Sequence, residues 1–271
     1  MKTIESDYDF SEMHQRMQFY IDQNILSCCA TAVFKGTDLV DHQTFGYMDL
    51  ETRQPLRDDG IYRMASNTKI VTSVALMMLQ EAGLFDLDDP LAKFMPEFSD
   101  MQVLQPNASA AADVSPAENL ISVRHLLSHS AGLSYGFVEP DSVIDQAYLN
   151  DGVNGLGEQE IDLEELCLRI AKLPLAFEPG TSWRYSFATD VCARLVEVLS
   201  GLSFDVFLRQ RLFEPLGMVD TDFWVPEEKA HRLITMYSPQ DLFDPMKPGL
   251  HTAGDVITGP YTAKPTMLSG G

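Results

Sequence analysis

The sequence predicts a sheet unit of the α/β kind interrupted by a mainly helical insertion. Three observations point there. Residues 27–50 hold two runs rich in β-branched and aromatic residues, parted by Gly36-Thr37-Asp38. Residues 86–224 carry mostly helical and loop signals. Beyond residue 225, "HRLITMYSP" turns back toward strand. A sheet pattern split by a helical block is the mark of such a unit.

The elements follow in order. Residues 9–24 form an amphipathic helix, with Phe10, Met13, Met17 and Tyr20 at helical spacing. "SCCATAVFKGTDLV" and "DHQTFGYMDL" are two strands joined at the Gly36-Thr37-Asp38 turn. A helix runs from 66 to 82 and stops at Gly83. Asp89 and Pro90 open the next helical stretch. Residues 101–118 are polar and rich in Pro, Ala and Ser, which predicts a surface loop. Ser122 caps a short helix that stops near Gly132. Further helices cover 162–172, 188–200 with Gly201 at its end, and the stretch after Ser203. Pro179-Gly180 centre a turn, and the Gly- and Pro-rich end shows little periodicity.

Composition excludes several functions. Of the 271 residues, 45% are apolar, enough for a real core. Nineteen basic against forty acidic residues give a net charge of −21, unsuited to nucleic acid or an anionic membrane. No apolar run approaches the ~18 residues of a membrane span. The acidic start, "MKTIESDYDF", lacks the basic and apolar blocks of a signal peptide, so a cytoplasmic location is expected. Cys28, Cys29, Cys167 and Cys192 form no CxxC pair and are expected as buried free thiols.

Chemistry gathers at "MASNTK". Ser66 and Lys69 are three apart, so a helix brings both to one face. A serine hydroxyl is a weak nucleophile until a neighbour removes its proton. Burial or a nearby cation favours a neutral amine, which can do so. The helix N-terminus adds a positive dipole end and backbone N–H groups for a developing oxyanion. Taken alone, Ser-x-x-Lys is a weak signal, because it arises often by chance and serine is a common helix cap.

Further segments strengthen it. "MASNTKIVTSVALMMLQEAGLFDLDDPLAKFMPEF", "ISVRHLLSHSAGLSYGF", "FEPGTSWRYSFATDVCARLVEVLSG" and "FDVFLRQRLFEPLGM" occur in that order. Over about residues 10–271 the chain resembles the serine β-lactamase-like superfamily. That group includes class C β-lactamases, D-alanyl-D-alanine carboxypeptidases and family VIII carboxylesterases. The resemblance implies an α+β fold with an antiparallel sheet flanked by helices, formed by 1–85 with 225–271, and a mainly helical domain over 86–224. It implies Ser66, Lys69 and Tyr185 as catalytic residues, with Tyr135, Phe137, Trp183 and Phe187 lining the pocket. It implies an acyl-enzyme on Ser66, a small-molecule ester or β-lactam as substrate, and no metal or organic cofactor.

Tyr185 matches the superfamily's second motif in "YSF". A phenol beside the Lys69 ammonium gives up its proton more readily, so the two form a coupled pair. Which of them is the base stays open. Phe187 departs from the lactamase pattern, where an Asn would offer an amide to the substrate. As an apolar wall it favours esters, and "YSFATD" resembles the esterase branch. β-Lactamase or carboxypeptidase activity is the alternative. The third motif, a strand that supplies the second oxyanion donor, has no match, so the chain reads as C-terminally truncated. An inactive fragment is thus a further alternative.

Other constellations carry less. His125 and His129 stand at a zinc-pair spacing, but no adjacent Glu or third ligand accompanies them. "DLDDP" lacks the glycine and spacing of a calcium loop. Met77 and Met78 are core filler.

Overall fold

A computed structural model describes residues 7–153, 161–253 and 264–270. Backbone packing divides them into two compact units, 7–63 with 225–253 and 64–224 with 264–270.

The first unit opens with α1 (Ser11–Asp22), whose Ile21 is buried. Two strands follow, β1 (Cys28–Lys35) and β2 (Asp38–Asp49), paired antiparallel with a register shift at Val33/Phe34. Gly36 takes φ +63° between them, a conformation that suits glycine. The short β3 (Gln54–Pro55) pairs with β2 and completes a three-stranded sheet. Residues 225–253 return to this unit. Arg63 Nη1 donates to the Ile234 carbonyl at 2.6 Å, and Leu50 N–H donates to the Tyr237 hydroxyl at 2.8 Å. Met48, Leu56 and Ile234 form a small core.

The second unit starts with a 3₁₀ turn, Ala65–Asn67, that leads into α2 (Thr68–Glu81). Gly83 N–H donates to Gln80 and Leu84 N–H to Leu79, the paired bonds that end a helix on a left-handed glycine. The stretch opened by Pro90 holds two 3₁₀ turns, Leu91–Lys93 and Pro96–Phe98. The expected surface loop at 101–118 contains a hairpin, β4 (Gln102–Leu104) with β5 (Val114–Pro116). Three residues per strand are too few for a polar sequence to show alternation. Ser122 caps α3 (Val123–Leu127) as expected, with His125 Nδ1 accepting the Ser122 N–H in return.

Next come α4 (Val143–Asn150), α5 (Leu163–Ile170), α6 (Ala188–Ser200) and α7 (Phe204–Leu208). The last continues into a π-helical turn, Arg209–Phe213. α2 packs on α6, whose Val191, Leu195 and Val196 are fully buried. Truncating a leucine such as Leu195 there costs about 2–5 kcal/mol. Two further short strands, β6 (Tyr237–Pro239) and β7 (Leu250–Thr252), pair in the first unit.

Small antiparallel sheets beside helices agree with the expected fold class. The division differs from the expected one at two points: α2 belongs with the helical unit, not with residues 1–63, and residues 264–270 belong with it too, not with 225–253. The apolar face of α2 meets α6, so this helix is core to that unit. Among the described residues no helix is long and apolar enough to cross a membrane. All four cysteines are free, but only Cys167 and Cys192 are buried; Cys28 and Cys29 are half-buried on β1.

Candidate active site

Ser66 occupies the 3₁₀ turn at the mouth of α2. Its predecessor Ala65 has φ +41°, which a residue with a Cβ adopts only under strain. Lys69 lies in the first turn of α2, and its Nζ donates to Ser66 Oγ at 3.4 Å. Tyr185 arrives from the turn before α6, with its hydroxyl 2.7 Å from Ser66 Oγ. Lys69 Nζ lies 4.7 Å from the centre of the Tyr185 ring.

The Tyr185 turn is fastened on both sides. Arg184 N–H donates to the His129 carbonyl at 2.9 Å, and Phe187 N–H donates to Ser134 at 3.2 Å. The Arg184 guanidinium donates to Ser134 Oγ, Glu139 and the buried Asp145 at 2.7, 2.7 and 2.9 Å. Burial alone would raise the Asp145 carboxyl, but bonds from the Ser134 hydroxyl, Glu139 N–H and Arg184 outweigh it and hold the group below the usual range.

Tyr135 is 4% exposed, and its hydroxyl accepts from Lys69 Nζ at 3.1 Å. The same hydroxyl donates to Asp190 Oδ2 at 3.3 Å. Burial, with Asp190 and Tyr185 nearby, keeps this phenol protonated far above its ordinary range. Burial raises the Asp190 carboxyl too, against the opposing pull of Ser269, Lys69, Gly270 and Tyr135.

His129, which sequence spacing offers only as one half of a zinc pair, lies beside Tyr185. Its ring lies 5.2 Å from that of Tyr185, and Nδ1 is 3.3 Å from Ser186 Oγ. Burial first, and the Lys69 charge second, pull it down to about 4, so the imidazole is neutral at pH 7. His125 instead faces Ser122 and Gly180. A groove of about 400 Å³ runs beside Lys69, lined by Ile70, Val74, Leu127, His129 and Cys192.

The expected pocket residues separate. Trp183 is 65% exposed and meets His129 edge-on. Phe137 is half-buried against Tyr135. Phe187 corrects the expectation of an apolar wall. It is 1% exposed, between Tyr135 at 4.4 Å and Tyr148 at 6.3 Å between ring centres. As the residue before α6, its ring turns into the core, so it supports Tyr135 from below. Asp190 is a site residue that sequence reasoning misses; an acid in the first turn of the apolar helix α6, five residues past Tyr185, is the signal for it.

A serine hydroxyl with a phenol at 2.7 Å and an amine at 3.4 Å is the set that acyl transfer on serine requires. Among the described residues no cluster of His, Cys, Asp and Glu could hold a metal ion.

A family model described as "Beta-lactamase" matches residues 15–262. The chain is 32% identical over 220 residues to esterase EstB of Burkholderia gladioli, covering 79% of this chain and 53% of that protein. It is 34% identical over 170 residues to ML-236A carboxylate methylbutanoyltransferase mlcH of Penicillium citrinum, covering 62% and 39%. Among solved structures it is similar to EstCE1, described as a hydrolase with promiscuous acyltransferase activity. The TM-score is 0.79 at 25% identity, over 95% of this chain and 66% of that one. The chain spans about half the length of esterase EstB.

Proposed function

The chain belongs to the beta-lactamase family, and on that premise we propose that it is a serine hydrolase that cleaves carboxylic esters through an acyl-enzyme on Ser66. The observation that carries this reading is the 2.7 Å contact between Ser66 Oγ and the Tyr185 hydroxyl, with Lys69 Nζ 3.4 Å from the same serine oxygen.

The geometry orders the steps. Tyr185 accepts the Ser66 proton while Oγ attacks the ester carbonyl. Lys69 Nζ, 4.7 Å from the centre of the Tyr185 ring, supports Tyr185 in that role. Collapse of the tetrahedral species returns the proton from Tyr185 to the leaving alcohol. Water then attacks the acyl-enzyme by the same relay and releases the acid. A neutral His129 adds no competing charge.

Esters remain the favoured class because relatives named as an esterase and as a hydrolase support it. Phe187 carries less weight for this preference, since its ring is buried against Tyr135 and Tyr148. The second reading is acyl transfer to an alcohol in place of water, favoured by the likeness to a methylbutanoyltransferase.

A fluorophosphonate probe tests the core of the proposal. Labelling of the wild type and not of Ser66→Ala supports it; folded protein that resists the probe overturns it. Turnover of a short-chain p-nitrophenyl ester against a chromogenic cephalosporin tests the substrate class. Faster cephalosporin turnover would reverse the preference. Adding an alcohol acceptor separates hydrolysis from transfer.

A further inference from the structure

We propose that Asp190 is a positioning residue for Lys69, acting through the Tyr135 hydroxyl. The inference rests on the reading of Ser66 and Lys69 given above. Asp190 stands in the first turn of α6, five residues past Tyr185, and is fully buried. A carboxylate leaves water only where donors replace its hydration. Here the Ser269 hydroxyl and Gly270 N–H donate to Oδ1 at 2.7 and 2.9 Å. The Tyr135 hydroxyl donates to Oδ2 at 3.3 Å.

A tyrosine has one hydroxyl proton. Here it points at Asp190, and a lone pair is left for the Lys69 Nζ at 3.1 Å. Amine, phenol and carboxylate thus form a directed chain in which each bond polarises the next. Its effect is to hold a long, flexible side chain with its nitrogen 3.4 Å from Ser66 Oγ. A second tie supports the first. The Gly270 carbonyl accepts from Thr72 Oγ1 at 2.6 Å, and Thr72 lies one turn beyond Lys69 on α2. Residues 269–270 therefore bind Asp190 to the helix that carries the serine and the amine.

The groups around the carboxylate are known. Lys69 and Tyr135 face Asp190 from α2 and from the turn after α3, and the Cys167 and Cys192 thiols from α5 and α6. Ser66, Tyr135, Tyr185 and His129 surround Lys69. Removing the one buried negative charge moves every ionisation in this group to lower pH, whichever group acts as base.

Asp190→Asn keeps the shape and deletes that charge. Two readouts apply: fluorophosphonate labelling across pH, and lysine-selective ¹⁵N NMR titration of the Lys69 amine, which needs no turnover. The expected result is labelling slowed about 10²-fold and both midpoints moved down by on the order of one pH unit. A folded Asp190→Asn protein with both midpoints unmoved overturns the inference. Tyr135→Phe keeps the ring packing and removes the bridge. It should slow labelling and lower the Lys69 midpoint, and it decides the matter alone if Asp190→Asn does not fold. The double variant should be no slower than the slower single one; fully additive losses overturn the bridge. A wild type that resists the probe, with Lys69 midpoints that still shift between variants, sinks the proposed function and leaves the Asp190 linkage standing.

Discussion

The Tyr185 hydroxyl lies 2.7 Å from Ser66 Oγ across 119 residues of sequence, closer than the 3.4 Å of the adjacent Lys69 amine. That difference favours Tyr185 over Lys69 as the proton acceptor of the proposed reaction. Tyr185→Phe keeps the ring against His129 and Tyr135 and removes the acceptor. Loss of a general base costs about 10²–10⁴-fold. Fluorophosphonate labelling should fall by that factor while the melting temperature stays within a degree or two. Unchanged labelling would return the role to Lys69.

The site was legible where it is local. Ser66 and Lys69 share one helix turn, so spacing alone pairs them. Tyr185 came only through resemblance, because nothing in "YSF" tells a phenol that faces a serine from one in a core. Tyr135 and Asp190 stayed unread as a pair, since their contact joins positions 55 residues apart. Phe187 was misplaced for a related reason. A residue just ahead of a helix can turn outward or into the core, and the aromatic rings of Tyr135 and Tyr148 decided it. In the fold, long periodic helices were plain, whereas the three-residue strands β4 and β5 left no alternation to read.

Arg184 holds the Tyr185 turn through a buried pair with Asp145, which is 0% exposed. Removing one partner of a buried pair costs about 3–5 kcal/mol, because the other stays buried and uncompensated. Arg184→Met should lower urea stability at pH 7 by that amount. The Asp145 carboxyl is held down in the folded chain. Its contribution is therefore present above its unfolded value of ~3.9 and is lost as pH falls below it. Asp145→Asn should start less stable at pH 7 and show a shallower decline between pH ~4 and ~2. Equal acid limbs in both proteins would refute the assignment.

His129 adds acid sensitivity of the same sign, in a higher pH window. Its folded value of about 4 lies below the ordinary ~6.5 of histidine. The unfolded chain then binds a proton that the folded chain refuses, so stability falls as pH drops from ~6.5 toward about 4. His129 also has φ +53°, a conformation that asparagine tolerates. His129→Asn is thus a fair replacement for the backbone. Its melting temperature should vary less than that of the wild type between pH 6.5 and 4. A histidine NMR titration with a midpoint near 6.5 would refute the premise.

Ala65 ties backbone strain to the reaction. Its φ of +41° places a Cβ where an alanine is unfavourable by about 1–2 kcal/mol. Such strain persists at sites whose surroundings demand it, and here the next residue is Ser66. Ala65→Gly relieves the strain but adds roughly 0.4–1 kcal/mol of chain entropy to the unfolded state. The net effect on stability should be a gain of about 0.5–1 kcal/mol, read as a small rise in urea midpoint. Activity should move the other way. Glycine frees the turn that aims Ser66 Oγ at the Tyr185 hydroxyl, and misplacement by a fraction of an ångström already slows a positioned reaction. Labelling several-fold slower in a slightly more stable protein is the expected pair of results. A loss of stability with unchanged labelling would show that Ala65 is unstrained and that the turn is held by other contacts.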